Sequence, residues 1–211
     1  MFKPIRWKTF ARDLFIIQIG FALFGLSIAL MIRGHLGTTP WAVLEVALSQ
    51  ISGIRPGRMS IIVGFSVLLI ALAFRERIGW GTLTNIVFIG LWEDLFLGFI
   101  PDVSGQPATQ WAMLLGATLL MGVASAVYIG VDAGAGPRDS LMLAVHRVSR
   151  LSLRVARGGI ELTVFLLGWL LGGPAGIGTL VFALLIGPAV QGSFRLFNVR
   201  PHRSLEEASA E

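Results

Sequence analysis

Long apolar runs alternate along the chain with short segments that are polar or rich in glycine and proline. An α-helix needs roughly 18 to 20 apolar residues to cross a hydrocarbon core of about 30 Å. Several of the runs approach or reach this length. We therefore predict an all-α membrane protein of about six transmembrane helices, in residues 14–32, 60–74, 82–100, 111–129, 158–171 and 179–197.

Two further segments, residues 40–52 and 137–148, mix apolar and polar positions and each begins at a proline. Proline is favoured at the first position of a helix, because the missing N–H would have no partner there. We predict a short helix in each segment, too short to span the membrane comfortably. Two interpretations stay open: a re-entrant helix lining a cavity, or an interfacial helix on the bilayer surface, with Trp41 as an aromatic anchor.

Composition supports a membrane protein. Hydrophobic residues make up 55% and charged residues 14% of the chain, and the mean hydropathy is +0.77. A soluble domain has about 45 to 50% apolar and about 25% charged residues. The absence of cysteine excludes disulfides, thiolate metal sites and cysteine nucleophiles. The net charge of +5 does not indicate nucleic-acid binding, since no basic helix or aromatic-interleaved basic patch is present.

The two halves of the chain align with each other at an offset of 97 residues without a gap. Glycine and proline matches carry weight, because these residues mark positions where the backbone is constrained. The pattern predicts two copies of one unit. The matching pairs include Gly25 and Gly122, Ala29 and Ala126, Gly37 and Gly134, Pro40 and Pro137, Ser52 and Ser149, Gly79 and Gly176, Gly81 and Gly178, and Thr82 and Thr179.

The basic residues predict the orientation. A cytoplasmic N-terminus with three spans per unit places all but three of the 17 Lys and Arg residues inside, as the positive-inside rule requires. Counting both short helices as spans fits worse, because it places Arg75 and Arg77 outside. An odd number of spans also makes the two repeats inverted. The predicted parts are a basic cytoplasmic arm (1–13), repeat 1 (14–100), repeat 2 (111–197) and a cytoplasmic tail (198–211).

The segments that lead into the short helices and form their first residues are here called the elbows. They are the candidate binding site. A helix N-terminus offers free N–H groups and a positive dipole end to a polar or anionic ligand, and inverted repeats bring two such ends together. The candidate substrate-binding residues are Thr38, Thr39, Pro40 and Trp41 in the first elbow, and Gly134, Gly136, Pro137, Arg138 and Asp139 in the second.

Three strings give the chain a specific resemblance: LGTTPW at residues 36–41, GAGPRD at 134–139 and IGTLVFALLIGP at 177–188. Over roughly residues 10–200 the chain resembles the YczE/YyaS/YitT family of bacterial integral membrane proteins, and most closely its YczE-like branch. The resemblance implies a polytopic helical fold in a bacterial cytoplasmic membrane. It implies no established biochemical activity.

Acidic residues inside apolar segments are the second lead, because a charge in hydrocarbon costs several kcal/mol unless it is paired, neutralised or hydrated. We take Glu45, Glu93, Asp94 and Glu161 as candidate ion-coupling residues. Glu93 and Asp94 point about 100° apart on a helix, so one neighbour faces at most one of them. For Glu161 the alternative is an ion pair with Arg157, which would merely anchor the helix.

No catalytic motif, metal-ligand spacing or phosphate-binding loop is present, so we expect neither an enzyme nor a cofactor. Two functions remain open. The first is a transporter or channel-like protein for a small polar or ionic solute. The second is a membrane-embedded assembly, chaperone or regulatory protein that docks a protein partner and moves no solute. The lipid bilayer is the expected surrounding in both cases.

Overall fold

The computed structural model describes residues 7–74, 76, 79–131, 133–134 and 136–199. Across these residues the chain is all-helical, with eight helices and no strand. The predictions for residues 1–6 and 200–211, and those for Arg75 and Arg77, lie outside the described residues. The helices are α1 (Phe10–Gly34), α2 (Pro40–Ser52), α3 (Pro56–Ala73), α4 (Trp80–Leu97), α5 (Pro107–Ile129), α6 (Pro137–Ser149), α7 (Leu153–Leu170) and α8 (Ile177–Leu196).

Every predicted span falls on a helix, and both short helices are present within one residue of the predicted bounds. The long helices begin several residues before the apolar runs. Helices α3 and α5 begin at Pro56 and Pro107, because proline is suited to the first helical position whether or not apolar residues follow. Apolar runs alone therefore placed these helix starts too late.

Among the described helices, four are long and apolar enough to cross a membrane: α1, α3, α5 and α8. Helices α4 and α7 have 18 residues each, but charged side chains interrupt both. By length and composition the structure thus supports four spans, where the sequence predicted six. The interrupting residues are Glu93 and Asp94 in α4, and Arg154, Arg157 and Glu161 in α7.

The helix bounds recur at the offset of 97 residues: α2 with α6 and α3 with α7 match at both ends, and α1 with α5 and α4 with α8 match at their starts. The two halves interlock. Helices α1 and α5 pack on each other at the centre, α1 also on α4, and α5 also on α8. Each short helix packs on the other half, since α2 lies against α7 and α6 lies against α3.

The largest buried cluster lies where α1 meets α5. Its apolar side chains have almost no exposed surface, while many outward leucines and phenylalanines of α3, α7 and α8 are exposed, as expected for helices that face lipid. The buried side chains at the α1–α5 contact include Ile17, Phe21, Ile28, Met31, Leu114, Ala117 and Met121.

Candidate functional site

Each elbow is held by a hydrogen bond from the other half of the chain. The amide of Gly178 donates to the carbonyl of Leu36 at 2.6 Å, and the amide of Gly81 donates to the carbonyl of Ala133 at 3.0 Å. Both donors and both acceptors are related by the 97-residue offset. Gly178 lies in the first turn of α8 and Gly81 in the first turn of α4. A backbone amide in a first turn has no partner within its own helix. The elbows therefore complete these helix ends.

The glycines that precede the short helices are required by this close contact. Gly37 and Gly134 have φ values of 113° and 133°, in a region that L side chains rarely adopt. A Cβ atom on Gly37 would lie 2.6 Å from the Thr179 hydroxyl, and one on Gly134 would lie 2.9 Å from the Gly79 Cα. Conformation and space both demand glycine at the two elbows.

The N-terminal ends of α2 and α6 meet. Both helices begin at a proline, and the next residue is Trp41 in α2 and Arg138 in α6. The guanidinium carbon of Arg138 lies 4.8 Å from the centroid of the Trp41 ring, in a cation–π contact. The Thr39 hydroxyl caps α2 by accepting a hydrogen bond from the Ala42 amide at 3.2 Å. Side chains from the two predicted elbows are thus in contact.

Arg138 also forms an ion pair with Glu45, one turn further along α2, with 2.6 Å between its nitrogen and the Glu45 carboxylate. The Glu45 side chain is 1% exposed and that of Arg138 is 30% exposed. A charge-assisted hydrogen bond of this length is among the stronger polar contacts in proteins. The second oxygen of Glu45 has no hydrogen-bond partner among the described residues.

Glu93 of α4 lies close to this pair. Its side chain is fully buried, and neither carboxylate oxygen has a hydrogen-bond partner within the described part of the chain. Helix α1 covers it through Gly25, where an added Cβ would lie 2.8 Å from the Glu93 amide nitrogen. The ionisable groups within electrostatic range are Glu45, Asp94 and Arg138.

Asp94, next along α4, makes a structural contact. Its carboxylate accepts a hydrogen bond of 2.8 Å from the backbone amide of Gly57, in the first turn of α3. That amide has no partner within its own helix, so Asp94 caps α3 from outside. Glu93 and Asp94 therefore face different neighbours, as their helical spacing predicted.

A second group of charges surrounds Asp139 in the first turn of α6. The Asp139 carboxylate accepts a hydrogen bond from the Gly136 amide and lies within electrostatic range of Arg157 and Glu161 on α7. Arg157 donates to Glu161 at 3.0 Å, which is the pairing named above as the alternative for Glu161. Tyr128 lies in electrostatic range of Asp139 and Arg157.

The candidates divide into two groups. Trp41, Glu45 and Arg138 are in contact between α2 and α6, and Glu93 of α4 lies within electrostatic range of Glu45 and Arg138. Glu161 pairs instead on its own helix. Thr38 is buried, and its hydroxyl has no partner in the described ranges. Sequence reasoning missed the links of Asp139 to Arg157 and Tyr128; the only signal for Tyr128 was its being the single tyrosine of the chain, inside an apolar run.

The apolar helices and the buried charges between them define a multi-pass helical membrane protein. More particularly, the chain belongs to a family of unknown function, DUF6198, whose sequence profile matches residues 11–194.

Three relatives are similar over most of their length. A Haemophilus influenzae protein described as uncharacterized is 33% identical over 95% of this chain and 92% of its own. The uncharacterized membrane protein YczE of Bacillus subtilis is 33% identical over 87% and 82%, and the uncharacterized protein YyaS of the same species is 29% identical over 80% and 86%. The predicted resemblance to YczE and YyaS is confirmed. No solved structure matches the chain.

Proposed function

We propose that the chain is a membrane transporter or channel-like protein, not an enzyme, that moves a small polar or ionic solute between its two short helices. The observation that carries the proposal is the contact between the two helix N-terminal ends at the Arg138–Glu45 pair, whose carboxylate is buried and whose arginine is partly exposed. Buried charges are costly in a membrane domain and mark ion or substrate paths more often than packing sites. Convergent helix N-termini are the common way in which transporters bind polar groups.

The proposal includes six spans, namely α1, α3 and α4 in one repeat and α5, α7 and α8 in the other, with α2 and α6 re-entrant. Helices α4 and α7 can cross the membrane despite their charges, because Asp94 is bonded to Gly57 and Arg157 is paired with Glu161. Glu93 is shielded inside the bundle. Three spans per repeat make the repeats inverted, with both termini in the cytoplasm of a bacterium and the chain in its cytoplasmic membrane.

The contact between Trp41 and Arg138 favours re-entrant short helices over interfacial ones. In inverted repeats, helices that lay flat would occupy opposite surfaces of the bilayer, about 30 Å apart. Side chains at the second position of each helix could not then stack at 4.8 Å. Both helices must instead point their N-termini towards the middle of the bundle.

Within this proposal the elbow residues bind the solute, and an acidic residue couples its movement to an ion. The solute-facing groups are the Thr38 hydroxyl, Trp41 and Arg138, which lie at or beside the helix N-termini. Of the candidate coupling residues, Glu45 and Glu93 are at this site. Asp94 and Glu161 are engaged in local contacts, and they contribute less directly.

Cysteine labelling tests the pathway, and the cysteine-free chain makes it clean. Thr39→Cys and Gly136→Cys are treated in intact cells and in inverted membrane vesicles with a membrane-impermeant thiol reagent. Ala108→Cys, at the exposed start of α5, is the water-exposed control for intact cells, and Leu151→Cys, 45% exposed between α6 and α7, is the water-exposed control for inverted vesicles. Leu184→Cys, 75% exposed on α8, is the lipid-facing control.

We expect Thr39→Cys to label from outside the cell and Gly136→Cys from the cytoplasmic side, each at a rate between that of the water-exposed control on the same side and that of the lipid-facing control. Both sites are buried, so labelling requires water to reach them. Protection of both sites, equal to that of Leu184→Cys, in folded protein would refute the pathway. The assembly, chaperone or regulatory function would then be the better account.

A further inference from the structure

The Glu93 carboxylate is buried without a hydrogen-bond partner among the described residues. It is 0% exposed, and none of the described residues donates a hydrogen bond to either oxygen. An ionised carboxylate in such surroundings costs several kcal/mol or more, which is why buried charges in proteins are paired or neutralised. The equivalent position in the other half of the chain, at the offset of 97 residues, is Val190, which carries no charge. Packing alone therefore does not explain an acidic residue here.

The other acidic candidates have partners that neutralise or fix them. Glu45 is bonded to Arg138, Asp94 accepts the Gly57 amide, and Glu161 accepts from Arg157. The charged groups of the described residues that lie in electrostatic range of Glu93 are Glu45 from α2, Arg138 from α6, and Asp94 from α4 itself. Helix α1 covers Glu93 with the backbone at Gly25. Among the described residues Arg138 is thus the one cation in electrostatic range of Glu93, and it is already bonded to Glu45.

The missing positive charge can come from a proton or from a metal ion. A metal ion needs several ligands, and within the described ranges no group of three or more His, Cys, Asp or Glu side chains is placed to hold one. A proton needs only the carboxylate. The surroundings of Glu93 therefore suit a proton, which removes the charge and needs no further ligand.

Resting on the proposed transport function, we infer that the coupling ion is a proton, and that Glu93 carries it while Arg138 is bonded to Glu45. Release breaks the O–H bond of the Glu93 carboxylic acid, and the proton passes to a water molecule in the pathway. Arg138 then neutralises the new carboxylate. The Arg138 side chain is partly exposed and is the only cation of the described residues in electrostatic range of Glu93, and Glu45, which it leaves, takes up the next proton.

Infrared spectroscopy of the detergent-solubilised protein tests the inference without any transport assay. At pH 7 we expect the wild type to show the C=O absorption of a protonated carboxylic acid. Glu93→Gln, which keeps the size of the side chain, is expected to lose this absorption completely. Asp94→Asn and Glu161→Gln are the matched controls and are expected to retain it.

A second variant tests whether Arg138 can move from Glu45 to Glu93. Glu45→Gln removes the partner of Arg138, so we expect the arginine to pair with Glu93 and the acid absorption to disappear although Glu93 is present. Retention of the absorption in Glu45→Gln would overturn the exchange of Arg138 between the two carboxylates.

Absence of the acid absorption from the wild type at pH 7, or its persistence in Glu93→Gln, would overturn the proton site itself. The wild-type measurement does not depend on how any variant folds. Cysteine labelling judges the pathway separately, so a refuted proton site and a refuted transport function give different results.

Discussion

Arg138 and Trp41 occupy the same position in two short helices that lie 97 residues apart in the sequence, and the guanidinium of one stacks on the indole ring of the other. In the proposed inverted repeat, equivalent residues touch only near the axis that relates the two copies. At this point the copies have different chemistry, a cation in one and an aromatic ring in the other. The asymmetry gives the site a charged residue that the sequence duplication alone does not supply.

The Arg138–Glu45 pair gives the first prediction. Arg138→Met is expected to lower the free energy of unfolding by about 3–5 kcal/mol, because it leaves the buried Glu45 carboxylate without its cation. The double variant Glu45→Met/Arg138→Met is expected to recover most of this loss, since Met142 already occupies the position equivalent to Glu45. Unfolding of the purified protein in detergent measures both. Equal instability of the single and double variants would contradict the explanation.

The elbow contact at Gly178 gives the second prediction. A Cβ atom at this position would lie 2.7 Å from the carbonyl oxygen of Leu36, which is backbone and cannot move aside. Gly178→Ala is expected to cost about 1–3 kcal/mol through overpacking. Gly192→Ala, on the same helix and with no atom within 4 Å of the added Cβ, is the matched control. It is expected to be neutral or slightly stabilising, and a comparable loss in both variants would refute the close contact.

Asp94 is predicted to matter as a hydrogen-bond acceptor and not as a charge. Asp94→Asn keeps an oxygen for the Gly57 amide and is expected to change stability by less than about 0.5 kcal/mol, whereas Asp94→Leu leaves that amide unpaired and is expected to cost about 1–2 kcal/mol. Thermal unfolding compares the two variants. A large loss in Asp94→Asn would show that the charge itself is needed.

The Asp102 carboxylate, in the loop between α4 and α5, is predicted to stabilise the protein at neutral pH and to lose this effect in acid. The Ser104 amide, together with His35, lowers the pKa of Asp102 from 3.8 to about 2. Because the pKa is lower in the folded state, the stabilisation is complete above pH 3.8 and is lost as the pH falls towards 2.

Asp102→Ala tests this dependence. Its Tm should lie below that of the wild type by a constant amount from pH 7 to about pH 5, and the difference should shrink between pH 4 and pH 2. A difference that does not change with pH would exclude the Asp102 carboxylate as its source. The Asp102–His35 contact of 2.6 Å is exposed, so we expect the whole effect to be small.

The sequence predicted the helices well because their signals are local. Pro40 and Pro137 mark the starts of the short helices, and the 97-residue offset ties the bounds of one half to those of the other. The elbow glycines were also readable, because Gly37 and Gly134 recur at that offset and few other residues tolerate their backbone conformation.

The contacts of the charged side chains were not readable in the same way. Glu45 and Arg138 are 93 positions apart, and nothing near either residue in the sequence identifies its partner. Glu93 and Asp94 are adjacent carboxylates, yet one caps α3 and the other is buried without a partner. Such differences arise from tertiary packing, which local patterns do not encode.

The crossed elbow bonds also fix when the protein can finish folding. The carbonyl of Leu36 leaves the ribosome well before its donor, the amide of Gly178, which is synthesised 142 residues later. The first four helices therefore cannot reach their final arrangement while they are the only ones made. Insertion has to leave them adjustable until α8 arrives, so the protein matures as one unit and its halves are not independent domains.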